Sequence, residues 1–488
     1  MTRLRLYALA LVGAASAAAC SPAPVTEPTT TTEAVTTTEN VASTTTVPTA
    51  TPHSLIAELF HIGEPRPSDI AAVAKVARLG TLSRDLHAAV SWPDTEAHRT
   101  TISSPIGFNQ RRQIVVRTPT GYQPERPWPL IVMYHTWGGD PDLIIDRLET
   151  LLGSNIENYV VAAPDDYRQT VLDAPPPVSS EHVSMWRTIR TRWHIDADRT
   201  YLAGYSLGGD TVITLSAMHP GALAGGLPMA AGVAFPSDVE GLVEAFLRNL
   251  RDVPMLHTYG AEDNLNIVGL NFRPQDITLA EQNEHLDQMI SGLGLASYRH
   301  IRLEGVGHTG ALPPQAEAID LLSNVRPNPP SSFTHTFRYI HQADAYWVEG
   351  HEWHGEGWFA TWPTVEPETN ESDEAALTRT LFSLLGTIDA DISGQTVTVD
   401  TTHLSDMTVW FHDDMVNFDE PITLVVNGTT VFADVIEPSV GVALAQALRT
   451  YDFDRLRLAG IRVNPETGDA SIVGLDDTFP PIVRGITY

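Results

Sequence analysis

In the stretch RTYLAGYSLGGD, residues 199–210, a serine stands between glycines at the end of an apolar run. Gly204-Tyr205-Ser206-Leu207-Gly208 has the G-x-S-x-G spacing of a strand that turns sharply into a helix and lifts a serine hydroxyl out of the turn. Such a turn leaves no room for side chains beside the serine backbone, so glycines flank it. The serine also sits near a helix N-terminus, where negative charge is favoured. The chemistry this suggests is nucleophilic attack by Ser206; the alternative is an ordinary glycine-rich turn.

A hydroxyl attacks poorly until a base takes its proton, and the base in turn needs a group to orient it. YRHIRLEGVGHTGAL supplies His308 in a glycine-flanked loop, the one among 18 histidines with that context. An acid should lie between serine and histidine in the chain, just past a strand. VPMLHTYGAEDNLN offers Asp263, with Glu262 as its rival. The oxygen of a tetrahedral intermediate needs donors; the expected ones are the backbone N–H of Leu207 and, from the loop YHTWGGD, that of Trp137. APDDYRQT follows another strand, so Asp165, Asp166 and Tyr167 are candidate substrate contacts.

These residues must be held by a regular frame. Strands are predicted at Gln113 to Thr118, Pro129 to His135, Tyr159 to Ala163, Thr200 to Gly204, Gly226 to Ala231, Pro254 to Tyr259 and Tyr298 to Leu303. Several are continuous apolar runs, as parallel strands covered on both faces are. DPDLIIDRLETLLG and DTVITLSAMHP fit helices between them. The alternation implies an α/β fold, a mostly parallel sheet with helices on both faces.

Residues 112–325 resemble the α/β-hydrolase superfamily. RWHIDADRTYLAGYSLGG with RPWPLIVMYHTWGG is similar to secreted esterases of the feruloyl esterase and polyhydroxyalkanoate depolymerase type, and to prolyl-oligopeptidase-like hydrolases. The resemblance implies a triad of Ser206, Asp263 and His308, an acyl-enzyme, an ester-bearing small molecule or polymer as substrate, and no cofactor. The first loop of those families usually begins His-Gly, whereas here it reads His135-Thr136. A carboxylic ester hydrolase is the leading expectation. A serine peptidase on the same triad, and a non-catalytic surface binding protein on a hydrolase scaffold, stay open.

At 488 residues the chain exceeds one typical core. The catalytic unit is expected over residues 109–326. Residues 53–108 carry two apolar-periodic stretches, HSLIAELFHIG and SDIAAVAKVARLGTLSRDLHAAV, and read as a helical extension packed on the main domain. A proline cluster at 327–330 marks a boundary. Residues 333–488 read as a β-rich C-terminal domain of unknown role, with Asn427-Gly428 as a hairpin signal and SVGVALAQALRTYD as a helix. HQADAYWVEGHEWHGEGW gathers His341, His351, Glu352 and His354. The two histidines of its H-E-x-H run are three apart, whereas a helical zinc motif needs four, so no metal is expected; its tryptophans read as core more than as a polymer-binding surface.

MTRLRLYALALVGAASAAAC has the anatomy of a secretory signal, residues 1–20, too short to span a bilayer. Cys20 is the sole cysteine. AAAC resembles a bacterial lipobox, with Ala17 where that motif usually has Leu, which makes Cys20 a candidate lipidation site and membrane anchor. Residues 21–52, rich in Thr and Pro, cannot bury enough apolar surface to offset ordering and read as a disordered tether. The expected location is outside the cytoplasm, either as an envelope-anchored lipoprotein or secreted. Acidic residues outnumber basic ones 60 to 30, a net charge of −30 that argues against nucleic acid as a partner. The sequence carries no signal for oligomeric state.

Overall fold

Pro52 and Pro67 occupy first turns of helices, where a missing N–H costs nothing. The computed structural model describes residues 51–62, 65–94, 98–107, 110–165, 181–232, 241–265, 277–358 and 363–475. It opens with α1 (Pro52–His61), α2 (Pro67–Ala74) and α3 (Leu82–Ala89). The second apolar stretch thus forms two helices, separated across residues 75–81, where Gly80 interrupts the pattern.

The helical extension ends earlier than expected. Residues Arg99–Gly107 form a strand, β1, whose buried positions Ile102, Ser104 and Ile106 alternate with partly or fully exposed ones. Ser104 stands where an apolar residue would have signalled the strand, and its hydroxyl is bonded to Thr188 Oγ1 at 2.8 Å. β1 pairs antiparallel with β2 (Gln110–Arg117).

The remaining strands of this sheet are β3 (Trp128–Tyr134), β4 (Val160–Pro164), β5 (Ile195–Tyr205), β6 (Gly225–Met229), β7 (Met255–Gly260) and β8 (Tyr298–Leu303). Their order is β1-β2-β4-β3-β5-β6-β7-β8. β2 runs antiparallel to β4, and every later pairing is parallel. Both faces are covered. Along β3, Leu130, Val132 and Tyr134 belong to one core, and Ile131 and Met133 to the other. α4 (Pro141–Leu152) and α9 (Gln315–Leu321) cover the second face, while α5 (Glu181–Arg190), α6 (Leu207–Met218), α7 (Leu242–Leu247) and α8 (Leu279–Leu293) cover the first. Every residue of α6 is buried, as expected for a helix enclosed on all sides.

The C-terminal part contributes β9 (Ser332–Phe337), β10 (Asp344–Ala345), β11 (Val348–Trp353), α10 (Asp373–Ser383), β12 (Gly386–Ser393), β13 (Thr396–Thr402), β14 (Leu404–Phe411), β15 (Ile422–Val426), β16 (Thr429–Asp434), α11 (Val440–Thr450), β17 (Ala459–Val463) and β18 (Ala470–Ile472). They make two five-stranded sheets, β10-β11-β14-β17-β18 and β16-β15-β13-β12-β9, which share one apolar core. Asn427 (φ 47°) and Gly428 (φ 75°) turn β15 into β16, the double positive φ of a two-residue hairpin.

The parts join tightly. Trp358 and Leu381 lie in the core of the hydrolase sheet. Asn249 Nδ2 donates to Ala217 O and Thr336 O at 3.0 and 2.8 Å. The N-terminal helices pack on α11 of the C-terminal part through α2, whose Ile70 and Val73 share a core with Leu444, and reach the eight-stranded unit through Trp92 Nε1, which donates to Arg190 O at 2.9 Å. The extension thus touches the main domain, as expected, and the C-terminal part as well. α11 presents buried alanine and leucine on most of its surface, which no single partner could cover.

Candidate active site

The strand-to-helix turn at Gly204–Gly208 is as tight as its sequence requires. Ser206 has φ 57° and ψ −123°, a strained region for a residue with a side chain. A Cβ on Gly204 would lie 2.0 Å from Gly208 O, and one on Gly208 would lie 2.1 Å from Tyr134 O. Only glycine fits at either position. The second approach presses the turn onto the end of β3, beside the loop that begins at His135.

Around that turn three side chains form a relay. His308 Nε2 lies 2.9 Å from Ser206 Oγ, and His308 Nδ1 lies 2.7 Å from Asp263 Oδ2. Asp263 is fully buried beyond the end of β7, and its Oδ1 accepts from the Leu265 N–H at 3.2 Å. Glu262, one residue earlier, is exposed. The geometry therefore brings together the three residues singled out from the sequence and leaves Glu262 outside the group.

Leu207 is the first residue of α6, where N–H groups have no intrahelical acceptor. Gly209 and Asp210 donate to Ser206 O. Thr136 to Gly139 form a turn closed by Gly139 N–H to Thr136 O at 2.9 Å, with Gly138 at φ 60°. Closing that turn does not use the N–H of Trp137, whose indole is 74% exposed. Asp165 is exposed, and its N–H donates to Gln113 O. Asp166, Tyr167 and Cys20 lie outside the described residues.

Other residues act on the relay without a sequence signal. Tyr205, inside the elbow, donates its hydroxyl to His308 O. Arg147 of α4 stacks over the Tyr205 ring at 3.5 Å and donates from Nη2 to Thr309 O at 2.8 Å. The histidine loop is thus held from two elements distant in sequence. Asp210, in the first turn of α6, is buried and accepts the Gly232 N–H at 2.7 Å. Burial pushes its carboxyl up to about 7, against the opposing pull of that N–H and of His308.

The strand order, the reversed second strand and the serine elbow after β5 are decisive together. The fold is an α/β-hydrolase fold. No family model matches the chain, and no curated protein matches it significantly in sequence. Among solved structures it is similar to a thermostable esterase (18% identity, 47% of this chain and 64% of that one, TM-score 0.37). It is also similar to the poly(3-hydroxybutyrate) depolymerase LpqC of Bordetella parapertussis (18% identity, 46% and 94%, TM-score 0.35). A third is a ferulic acid esterase of Anaeromyces mucronatus (15% identity, 48% and 96%, TM-score 0.34).

The histidine-rich segment has other engagements. His351 Nε2 is bonded to Thr408 Oγ1 at 2.7 Å and His354 pairs with Glu466 at 2.8 Å. Trp347 and Trp358 are core residues, as their reading as core anticipated.

Proposed function

We propose that this protein is an exported serine hydrolase that cleaves carboxylic esters through an acyl-enzyme. The observation that carries the reading is the unbroken path from Ser206 Oγ through the His308 imidazole to the buried Asp263 carboxylate. In this mechanism His308 Nε2 takes the hydroxyl proton as Oγ attacks the ester carbonyl carbon. The N–H groups of Leu207 and Trp137 receive the developing oxyanion. His308 then returns the proton to the leaving alkoxide, and a water, deprotonated by the same nitrogen, releases the acid. Asp263 keeps the proton on Nδ1 and stabilises the imidazolium. Asp165, Asp166 and Tyr167 are kept as candidate substrate contacts.

The test is labelling with a fluorophosphonate, followed by turnover of p-nitrophenyl esters and of peptide amides. Labelling lost in Ser206→Ala, with ester turnover, supports the proposal. An unlabelled protein identifies a binding scaffold, and faster amide than ester turnover identifies a peptidase. Export through residues 1–20 and anchoring at Cys20 belong to the same proposal. Cys20→Ala should then move the protein from the detergent phase to the aqueous one.

A further inference from the structure

A second site lies at the far end of α6 from Ser206, about 18 Å away at 1.5 Å per residue over the helix. There α5, the end of α6 and the C-terminal part enclose a cavity of about 320 Å³. In a chain of net charge −30, six arginines line it: Arg187, Arg190, Arg326, Arg449, Arg455 and Arg457. Four have carboxylate partners. Arg326 and Arg455 pair with Asp198 and Asp452, and Arg449 and Arg457 with Glu349 and Asp344.

Arg187 and Arg190 differ. No carboxylate among the described residues lies within ion-pair distance of either. Arg187 donates to the carbonyl oxygens of Leu448 and Arg449 at 3.0 and 2.8 Å, and Arg190 to Thr200 Oγ1 at 3.2 Å and to Thr450 O at 3.5 Å. Arg190 is 8% exposed, its Nε is buried with no acceptor, and burial lowers its affinity for the proton. Arg449 Nε and His219 Nε2 are likewise buried without partners, and so is Oε1 of Gln446, an amide that can present either end. A guanidinium does not deprotonate in proteins, and Asp452, the opposite charge that acts most strongly on Arg190, is already ion-paired with Arg326. Six guanidinium groups therefore line one space against four carboxylates, Asp198, Asp344, Glu349 and Asp452, a surplus of positive charge.

We propose that this cavity is a binding site for a compact oxyanion, a phosphate or a small carboxylate, held by the guanidinium groups of Arg187 and Arg190 with Arg449 and His219 around it. The bound anion ties the hydrolase unit to the C-terminal part at the seam, and it does so independently of the ester chemistry.

The experiment is thermal unfolding of the full chain with inorganic phosphate or malonate, against chloride at equal ionic strength, together with crystals soaked in selenate. A saturable rise of about 3 °C at a hundredfold excess over Kd, and an anomalous peak within hydrogen-bond distance of the Arg187 or Arg190 guanidinium, are expected. The larger response, to phosphate or to malonate, names the source. Arg190→Gln should abolish the rise, and Arg187→Gln, at a less buried position, should weaken binding about tenfold if the first variant does not fold. No rise beyond chloride, a peak elsewhere or only ordered water in the cavity, or an undiminished rise in both variants overturns the proposal.

Discussion

Glu262 and Asp263 are adjacent carboxylates with opposite fates, one in solvent and one buried against the imidazole of His308. Asp263→Asn should lower kcat by about 10⁴-fold, the effect of losing an orienting carboxylate in a serine protease triad. Glu262→Gln should change it less than twofold. Steady-state kinetics on one p-nitrophenyl ester compares both, and the reverse ranking would transfer the role. Asp210 makes a different prediction. Its folded pKa, about 7, exceeds that of an unfolded aspartate, so the native state holds its proton more tightly and loses stability as pH rises from about 4 to about 7. Asp210→Asn keeps an acceptor for Gly232 and carries no charge. Its Tm should exceed the wild-type value at pH 8, with the gain shrinking toward pH 4; a gain independent of pH would refute the ionisation argument. Ser206, His308 and Asp263 could be read from the sequence because each has a required local context and a required order. Asp210 could not, because its partner Gly232 lies on another strand's loop and only burial makes its carboxyl unusual.

At the scale of elements, the elbow and the histidine loop are coupled by Tyr205 and Arg147. Tyr205→Phe removes the hydroxyl that holds His308 O but keeps the ring under the guanidinium. The expected result is a kcat reduced about tenfold with KM nearly unchanged, because a misaligned base affects the reacting geometry more than binding. An equal rise in KM would instead point to a deformed pocket. Of the seven strands expected, those that became β3 to β7 were legible because parallel strands buried on both faces have little choice of composition. β1 was hidden by Ser104 in its apolar register and by Pro105 within the strand. The packing of α1 to α3 was hidden for another reason. An apolar stripe states that a partner exists, and α11, some 350 residues away in the chain, became that partner only in the folded molecule.

For the whole molecule, the proline run at 327–330 reads in sequence as an exposed joint, and Pro327 and Asn328 are exposed. The adjoining Arg326 is buried between Asp198 and Asp452. A chain ending at Asn328 would also strip Trp358 and Leu381 from the hydrolase core and leave α1 to α3 without α11. It should therefore be recovered aggregated; a monodisperse, ester-cleaving product in size-exclusion chromatography would show that the catalytic part stands alone. Burial at this seam also depresses the imidazoles of His219, His335 and His412 to about 4. Their unfolded pKa is about 6.5, so the stability they contribute is complete above that value and is lost as pH falls toward 4. Each costs up to about 1.4 kcal/mol per pH unit in that window. Thermal melts should show Tm dropping between pH 6.5 and 4, and a flat profile would mean that these rings are charged in the fold.

The way α1 docks has a mechanical corollary. A pull on the chain at Thr51 enters the fold along α1, whose apolar side is clasped by α2 and α3, and not along any strand of the hydrolase sheet. Force transmitted through the preceding segment would peel the three N-terminal helices from α11 first. The next attachments in line are those of Trp92 to Arg190 and of His87 to His194. The serine elbow, at the opposite end of α6 from that seam, would feel the load last, so a protein held at its N-terminus can be tugged without its catalytic geometry acting as the hinge.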